Sequence, residues 1–253
     1  MHAGLRATLI VGAIVASVAL VAAAVLVFLA PRVPGLPTAI PIVEEPAPSW
    51  APPADPPDAA TPTVGLITWV DPAWVAETSV ATGIPERALA AYAGAALSKA
   101  DGMPECGLSW NTLAAVGAVE SDHGRHGGAS IAPDGTVAPP IFGVALDGGS
   151  VAHIPDSDGG EIDGDAQFDR AVGPFQMIPQ TWRNWGTDGN GDGVNDPHNF
   201  DDQARAAANY LCRVSVDIDT EPGWRAAISG YNSDPDYLDA VARNAVRYAE
   251  SGD

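Results

Sequence analysis

Residues 110–121 read WNTLAAVGAVES and carry the clearest helix signal of the chain. Ser109 stands before them at the position of a helix cap, and most of the residues that follow are apolar, which is typical of a buried helix. Glu120 lies in the last turn, where burial and the negative end of the helix dipole both disfavour a charged carboxylate. The pattern predicts a raised pKa for Glu120, as a proton donor near neutral pH requires, although glutamates at helix ends are ordinarily solvated.

Helix start and stop signals continue on both sides of this segment and predict one domain over residues 64–253. Predicted helices begin at capping residues or prolines, and the first one ends at a glycine. The Gly/Asp/Pro-rich stretch from 122 to 169 shows no period, and no strand-like alternation is long enough for a sheet. We therefore expect an all-α domain with long Gly/Asp-rich loops. The other expected helices lie between Asp71 and Gly83, from Pro85 to Gly102, and at about 179–185, 200–214, 224–230 and 235–250.

Two segments of different composition precede the domain. Thr8 to Ala30 contains 23 residues without a charge, which is long enough to cross the ~30 Å hydrocarbon core of a bilayer as a helix. We assign residues 1–30 to an uncleaved signal anchor, with a cleaved signal peptide or a buried core helix as the alternatives. Residues 31–63 include 11 prolines, so an extended, proline-rich linker is predicted between the transmembrane helix and the domain.

The acidic composition excludes one broad class of function. The chain carries 12 Lys and Arg against 32 Asp and Glu, a net charge of -20. A nucleic-acid-binding protein needs a basic face to displace counterions from phosphates, so this composition argues against nucleic acid as a partner. The acids are concentrated between residues 147 and 202, where 12 acidic residues are accompanied by only two basic ones.

Two cysteines, Cys106 and Cys212, are too few for a disulfide-dense scaffold or a four-cysteine zinc site. In an exported protein they predict a single disulfide, since only one intramolecular pairing exists. Closing a loop of about 100 residues would stabilise the fold by about 4–5 kcal/mol in the chain-entropy model. Two separate buried thiols are the alternative.

An acidic loop after the predicted helix at 179–185 has the spacing of a calcium site. From Asp188 onward, oxygen-bearing side chains recur at every second position, and Gly193 is sixth, where an EF-hand loop turns sharply. Position twelve is Asn199 in place of the usual glutamate, so the loop is atypical, and a metal-free, solvated turn is the alternative. An all-oxygen ligand set favours a structural Ca²⁺ over zinc. The predicted ligands are Asp188, Asn190, Asp192, Val194 through its carbonyl, and Asp196.

Four short motifs follow one another along the domain: Glu120-Ser121, Gly173-Pro174-Phe175-Gln176 (the GPFQ turn), Asn199-Phe200 and Gly230-Tyr231-Asn232. Their order resembles that of the lysozyme-like lytic transglycosylases, most closely the membrane-bound lytic transglycosylase B type, over residues 110–248. The resemblance implies a lysozyme-like fold and cleavage of the β-1,4 bond between N-acetylmuramic acid and N-acetylglucosamine in peptidoglycan. It implies no cofactor for the chemistry itself.

The mechanism of this family can be carried over residue by residue. Glu120 would protonate the glycosidic oxygen and then act as base on the C6 hydroxyl of the muramic acid, giving a 1,6-anhydro product without water. One carboxylate taking both steps differs from the paired carboxylates of most glycosidases. Ser121 and Gln176 would contribute to substrate binding. Tyr231 would orient Glu120, and Asn232 would contact an N-acetyl group, with an ordinary helix-terminating turn as the alternative for these two residues.

The same resemblance implies where the protein works and what it contacts. The predicted anchor would hold it in the cell membrane as a single-pass protein, with the catalytic domain on the extracytoplasmic side. Its partners would be peptidoglycan glycan strands, the membrane through the N-terminal helix, and cell-wall synthesis or division proteins. Because wall polymers are often anionic, the substrate groove should be less acidic than the chain as a whole.

Two other functions stay open on the sequence. If Asp163, Asp165 or Asp169 faced Glu120 at a suitable separation, a muramidase on the same fold would hydrolyse the bond with water. A non-catalytic, calcium-dependent wall-binding module is the second alternative.

Two further features carry no firm chemistry. The acidic run over residues 156–165 lacks the regular spacing of the later loop, so we expect a solvated loop overhanging the groove there rather than a metal site. The histidines of the domain show no metal-ligand spacing on one helix, so surface or groove positions are expected for His123, His126, His153 and His198.

Overall fold

A computed structural model of the protein describes Pro48, residues 50–61 and residues 63–251. The predicted signal anchor, residues 1–30, and most of the predicted linker lie outside these described residues. Within them, none of the helices combines the length and the apolar character that a membrane span requires.

Seven α-helices make up most of the described chain, so the expectation of a mostly helical domain is confirmed. Six of them have their predicted bounds to within one residue. Short 3-10 helices lie at Leu66–Trp69, Pro104–Cys106 and His126–Gly128. The α-helices are α1 (Pro72–Thr82), α2 (Glu86–Gly102), α3 (Trp110–Ser121), α4 (Pro179–Trp185), α5 (Phe200–Val214), α6 (Glu221–Tyr231) and α7 (Pro235–Ser251).

Local capping explains why most helix bounds follow from the sequence. Asp71 accepts a hydrogen bond from a first-turn amide of α1 at 2.8 Å, and Gly83 ends this helix in the left-handed region with a φ of 74°. The exception is α6, which begins three residues earlier than predicted because the Thr220 hydroxyl accepts from the Gly223 amide at 3.2 Å. Pro222 does not prevent this start, since the amide of a first-turn residue has no helical acceptor to lose.

The expectation that the domain lacks strand pairing was wrong. Four strands of two to four residues pair into two antiparallel ribbons, β1 with β2 and β3 with β4. Strands of this length cannot show a period-two pattern, and the pairing of β3 is irregular between Phe142 and Ala145. The ribbons supply part of the backbone hydrogen bonding for the Gly/Asp/Pro-rich stretch. The strands are β1 (Ser130–Ile131), β2 (Val137–Ala138), β3 (Phe142–Ala145) and β4 (Arg170–Val172).

The core is built around α3, which packs against both α2 and α7. The first eight residues of α3 are buried. Gly117 allows α2 to approach closely, because a Cβ at this position would lie 2.1 Å from the Tyr92 hydroxyl oxygen. On the other side, Asn111 Nδ2 donates to the Ala245 carbonyl of α7 at 3.1 Å. Packing on both sides fixes the C-terminal end of α3, which carries Glu120.

The last part of the proline-rich segment packs against this core. The Trp110 indole donates to the Asp55 carbonyl at 3.2 Å, and the Ala54 amide donates to Asn111 Oδ1, also at 3.2 Å. Residues 50–61, which composition assigns to the linker, therefore belong to the folded unit in the described part of the chain.

Two links hold α5 to the helices around it. The predicted disulfide is confirmed: Cys106 and Cys212 are bonded and buried, and they connect the segment before α3 to α5. At the other end of α5, Arg87 of α2 forms a bidentate ion pair with Asp201, with N–O distances of 2.6 and 2.7 Å. The Asp201 side chain is almost fully buried. Substitution of Arg87 alone would therefore leave a buried carboxylate without a countercharge, which is strongly destabilising.

Candidate active site

Glu120 lies in the last turn of α3, where its side chain is partly buried. Burial raises the pKa of its carboxyl group from 4.5 to about 7, as the sequence predicts. Tyr237 of α7 donates its hydroxyl proton to Glu120 Oε1 at 2.6 Å. This hydrogen bond acts against burial, because it stabilises the carboxylate and lowers the pKa. The carboxyl group is therefore close to half protonated at neutral pH.

The tyrosine that contacts Glu120 is not the one implied by the resemblance. Tyr231 was expected to orient Glu120, but its hydroxyl donates to the Phe175 carbonyl at 2.7 Å. Tyr237 takes the contact with Glu120, and the two tyrosine rings stack with their planes 5° apart and their centroids at 6.5 Å. Tyr231 thus packs against the ring of Tyr237 and does not contact Glu120 through its hydroxyl. Burial raises the pKa of both tyrosines well above 10, so both remain hydrogen-bond donors at neutral pH.

Three side chains hold the GPFQ turn in place. Ser121 Oγ donates to the Pro174 carbonyl at 2.6 Å and accepts from the Gly124 amide at 2.8 Å. The Tyr231 hydroxyl donates to the carbonyl of the next residue, Phe175, and Gln203 Oε1 accepts from the Phe175 amide at 3.0 Å. Ser121 is 2% exposed, so the structure places it behind the site, where it joins the end of α3 to the turn.

A groove of about 470 Å³ has Tyr231 in its wall. Glu120 and Tyr237 do not line it, and they are joined to it through the stacking of Tyr237 on Tyr231. It brings together three residues that the sequence predicts as a substrate site, Gln176, Tyr231 and Asn232. One wall comes from the segment before the acidic run at 156–165, through Ala152 and Ile154, and no residue lining the groove carries a charge. The lining of this groove is therefore less acidic than the chain as a whole. The polar side chains along it include Gln176, Thr181, Tyr210, Ser229, Tyr231 and Asn232.

Gln176 occupies an unusual backbone conformation at the edge of the groove. Its φ is 48°, and its Nε2 donates to the Gly173 carbonyl at 2.8 Å. Gly143 of β3 lies opposite, and a Cβ there would stand 3.0 Å from Gln176 Oε1. The ribbon formed by β3 and β4 therefore limits where the amide of Gln176 can lie.

Asn232 follows the last residue of α6, and its side chain also serves the turn. Its Oδ1 accepts from the Asp234 amide at 3.0 Å. Tyr210 of α5 also lines the groove. Its hydroxyl donates to the Gly230 carbonyl at 2.8 Å, and its ring packs edge-on against Tyr231. Neither Tyr210 nor Tyr237 belongs to a sequence motif, so neither was predicted. Tyr237 falls six residues after Tyr231, but no local pattern shows that α7 returns to the end of α3.

Non-glycine residues with a positive φ cluster around the site. Among the described residues they are Asp122 at 50°, His123 at 58° and Gln176 at 48°. Such conformations are uncommon for residues with a side chain and tend to occur at functional sites. The surface or groove position expected for His123 was wrong, because this side chain is only 3% exposed.

The predicted calcium loop is a structured turn whose acids hold its own backbone. Asp188 accepts from the Gly191 and Gly193 amides at 2.5 and 2.8 Å, and Asp192 accepts from the Val194 amide at 2.8 Å. Asn190 and Asp196 accept from amides two residues on. The carboxylates of Asp188, Asp192 and Asp196 do not converge on one point in the described chain.

Buried Asp202 anchors this loop to α5. Its carboxylate accepts from the Gly189 amide at 2.7 Å and from the Asp196 amide at 2.8 Å. Burial raises the pKa of Asp202 to about 6, with these hydrogen bonds acting in the opposite direction. The loop also meets the N-terminal part of the fold, since the Leu66 amide donates to the Gly189 carbonyl at 2.9 Å.

Converging carboxylates occur instead in the acidic run over residues 156–165 and at Asp169, which follows it. Within the described residues, oxygens of Asp156, Asp158 and Asp169 all lie within 4.8 Å of one another. Asp169 is fully buried and accepts from the Ser157 amide and hydroxyl at 2.8 and 2.9 Å. This run was expected to be a solvated loop, yet its side chains are largely committed to internal hydrogen bonds.

The three candidate second acids have partners of their own. Asp163 accepts from the Arg170 amide at 2.6 Å, and Asp165 forms an ion pair with the Arg170 guanidinium at 2.8 Å. Asp169 holds Ser157, and none of the three lines the groove.

No protein-family model matches the chain, and neither a curated protein nor a solved structure matches it significantly. The chemistry of the site is therefore read from its geometry. That geometry combines a carboxyl group that titrates near neutral pH, a phenol that holds it, and an uncharged groove with hydrogen-bonding walls. Such a combination suits acid–base chemistry on a neutral, polar substrate.

Proposed function

We propose that the protein is a peptidoglycan lytic transglycosylase with a lysozyme-like fold. It cleaves the β-1,4 bond between N-acetylmuramic acid and N-acetylglucosamine, with Glu120 as the acid–base residue. The observation that carries the proposal is the link from Glu120, whose pKa is about 7, through the Tyr237 hydroxyl and the stacked ring of Tyr231 to a groove lined by uncharged residues. A carboxyl group with this pKa is able to donate a proton and to accept one at the same pH.

In the first step, protonated Glu120 gives its proton to the glycosidic oxygen while the bond between this oxygen and C1 breaks. In the second step, ionised Glu120 removes the proton of the C6 hydroxyl, and O6 bonds to C1 of the same muramic acid. Water is neither consumed nor released, and Glu120 ends in its starting protonation state. A single carboxyl group suffices for both steps.

Tyr237 supports the ionised form of Glu120 between the two steps. Its hydroxyl is already placed on Oε1 at 2.6 Å, so no side chain has to move when the carboxylate forms. Tyr231 keeps the Tyr237 ring in place through stacking. Gln176 and Asn232 in the groove wall offer amide groups to sugar hydroxyl and N-acetyl groups.

The partners of the nearby acids favour transglycosylation over hydrolysis by two carboxylates. Asp163, Asp165 and Asp169 are engaged by Arg170 or Ser157, and no acidic residue lines the groove that contains Tyr231. A paired-carboxylate hydrolase requires such a group facing the first. A muramidase therefore has less support from this geometry.

A structural cation is a separate part of the proposal. Ca²⁺ prefers several oxygen ligands, and the converging oxygens of Asp156, Asp158 and Asp169 fit this preference better than the loop from Asp188 to Asp196. Either loop would use the ion to hold its backbone, with no part in the chemistry. The membrane anchor, the extracytoplasmic location and contacts with wall-synthesis or division proteins belong to the same proposal.

Release of soluble fragments from purified sacculi tests the role of Glu120. The full chain in detergent should release muropeptides, and Glu120→Gln should reduce the rate by about 10²–10⁴-fold, the usual contribution of general acid–base catalysis. Glu77→Gln, at an exposed position on α1, is the matched control and should keep the wild-type rate. Full activity of Glu120→Gln would remove Glu120 from the chemistry, and no release by the wild type would favour the wall-binding alternative.

A further inference from the structure

A buried chain of hydrogen bonds lies directly behind the end of α3. His123 Nδ1 and the Tyr92 hydroxyl are 3.0 Å apart, and His123 Nε2 and the Tyr248 hydroxyl are also 3.0 Å apart. Arg247 extends the chain by donating to the Tyr248 oxygen at 3.0 Å. A neutral imidazole has one donor and one acceptor, so each tyrosine takes the complementary role. The exposed fractions are 3% for His123, 0% for Tyr92 and 1% for Tyr248.

The backbone at His123 closes the helix that carries Glu120. After Ser121 the chain enters the left-handed region twice in succession, at Asp122 and His123. The Asp122 amide donates to the Ala118 carbonyl and the His123 amide to the Gly117 carbonyl, each at 3.0 Å. These bonds satisfy carbonyls that the last turn of a helix otherwise leaves without a partner. The conformation is one that residues with side chains rarely adopt, so something must hold it.

Two contacts from α7 reach the end of α3. Tyr237 contacts Glu120, and Tyr248 contacts His123. Tyr248 follows Tyr237 by eleven positions, which is about three helical turns, so both project from one face of α7. The Tyr92 hydroxyl closes the arrangement from α2, in the space left by the missing side chain of Gly117.

We propose that His123 is a positioning residue for Glu120: held between Tyr92 and Tyr248, it fixes the left-handed turn that keeps the last turn of α3, and with it the Glu120 carboxyl group, against Tyr237. The mechanism proposed above does not use this histidine, which touches neither the groove nor the carboxyl group. The proposal rests on the assigned role of Glu120 for its effect on activity, but its effect on the environment of Glu120 is independent of that role. If the turn loosens, the last turn of α3 frays and water reaches Glu120.

The test measures the titration midpoint of the Glu120 carboxyl carbon by ¹³C NMR on the full chain without substrate. The signal is identified by its loss in Glu120→Gln. Two variants, His123→Gln and Tyr248→Phe, should move the midpoint from about 7 downward by about one pH unit, since solvation favours the carboxylate. Thr112→Val is the matched control. Thr112 lies at the start of α3, and its hydroxyl accepts a buried hydrogen bond from the Trp224 indole. Loss of this bond should leave the midpoint unchanged.

On sacculi, the same two variants should lower kcat about tenfold with little change in KM, because the groove residues are untouched. Folded variants that keep the wild-type midpoint would overturn the proposal. If His123→Gln does not fold, Tyr248→Phe decides alone, since it deletes a single oxygen. A wild-type protein without activity on sacculi would overturn the proposed function while the midpoint still decides the role of His123.

Discussion

At Glu120, burial and a hydrogen bond act on the carboxyl pKa in opposite directions. Burial has the larger effect and raises the pKa to about 7, while the Tyr237 hydroxyl stabilises the charged form. The balance leaves a group that can act as acid and as base without a second carboxylate. It also has a consequence for stability, because the folded state then binds the Glu120 proton more tightly than the unfolded state.

The stability of the fold should therefore change with pH through Glu120. With a folded pKa raised from 4.5 to about 7, the contribution of this group is fully present below pH 4.5 and is lost as the pH rises to 7. Glu120→Gln cannot titrate, so it should be more stable than the wild type at pH 8, by up to about 3 kcal/mol. At pH 4.5 the two proteins should be close to equal.

Urea unfolding of both proteins at pH 4.5 and pH 8 gives this comparison. Taking the difference between variant and wild type removes the contributions of Asp202 and His123, which titrate in both. A difference between the two proteins that is the same at both pH values would mean that the pKa of Glu120 is not raised.

Short motifs carry Glu120, Gln176, Tyr231 and Asn232, so these candidates can be named from the sequence. The contact of Tyr237 with Glu120 cannot, since these residues are 117 positions apart and only the packing of α7 against α3 joins them. The burial of His123 was missed for the same reason. Its partners come from α2 and α7, and its own neighbours in the sequence are polar or glycine.

At the level of elements, the helices were predictable and the loops were not. Caps such as Asp71 and Gly83 act within one turn, so they can be recognised from a few residues. The ribbons of β1 with β2 and β3 with β4 are too short to leave a pattern, and they exist because distant segments meet. The ribbon that contains β3 nevertheless matters for function, because Gly143 lies against Gln176.

Substitution of Gly143 tests this contact between a strand and the groove. Gly143→Ala would bring a methyl group to 3.0 Å from Gln176 Oε1, so the amide should be displaced from its place in the groove wall. We expect KM on sacculi to rise several-fold with little change in kcat, since Glu120 is untouched. Gly102→Ala, at the end of α2 with no atom near the added carbon, is the control. Equal KM values for the two variants would show that Gln176 does not bind substrate.

Across the described part of the molecule, none of the acids that contribute to the net charge of -20 lines the groove. The acidic loops use their carboxylates as acceptors for backbone amides, as Asp156 does for Gly159 and Asp188 does for Gly191. The fold also carries a disulfide between Cys106 and Cys212 and a packed segment at residues 50–61. An uncharged lining suits the proposed glycan substrate, because it places no carboxylate against a wall polymer that is often anionic.

Cation binding by the acidic loops can be measured through stability. Addition of CaCl₂ should raise the melting temperature of the full chain and EDTA should lower it, because an ion bound only to the folded state stabilises it. Asp169→Asn should abolish the response if the site contains Asp156 and Asp158, whereas Asp192→Asn should leave it intact. The opposite pattern would place the ion in the loop from Asp188 to Asp196, and no response in the wild type would exclude a bound Ca²⁺ at the concentration used.

The measurement that tests the central claim most directly is the mass of the muropeptides released from sacculi by the full chain in H₂¹⁸O. If Glu120 deprotonates the C6 hydroxyl and O6 bonds to C1, the products are 1,6-anhydro muropeptides. These lack one water relative to hydrolysis products and carry no ¹⁸O. Reducing muropeptides with one ¹⁸O per cleaved bond would contradict this account and identify a hydrolase.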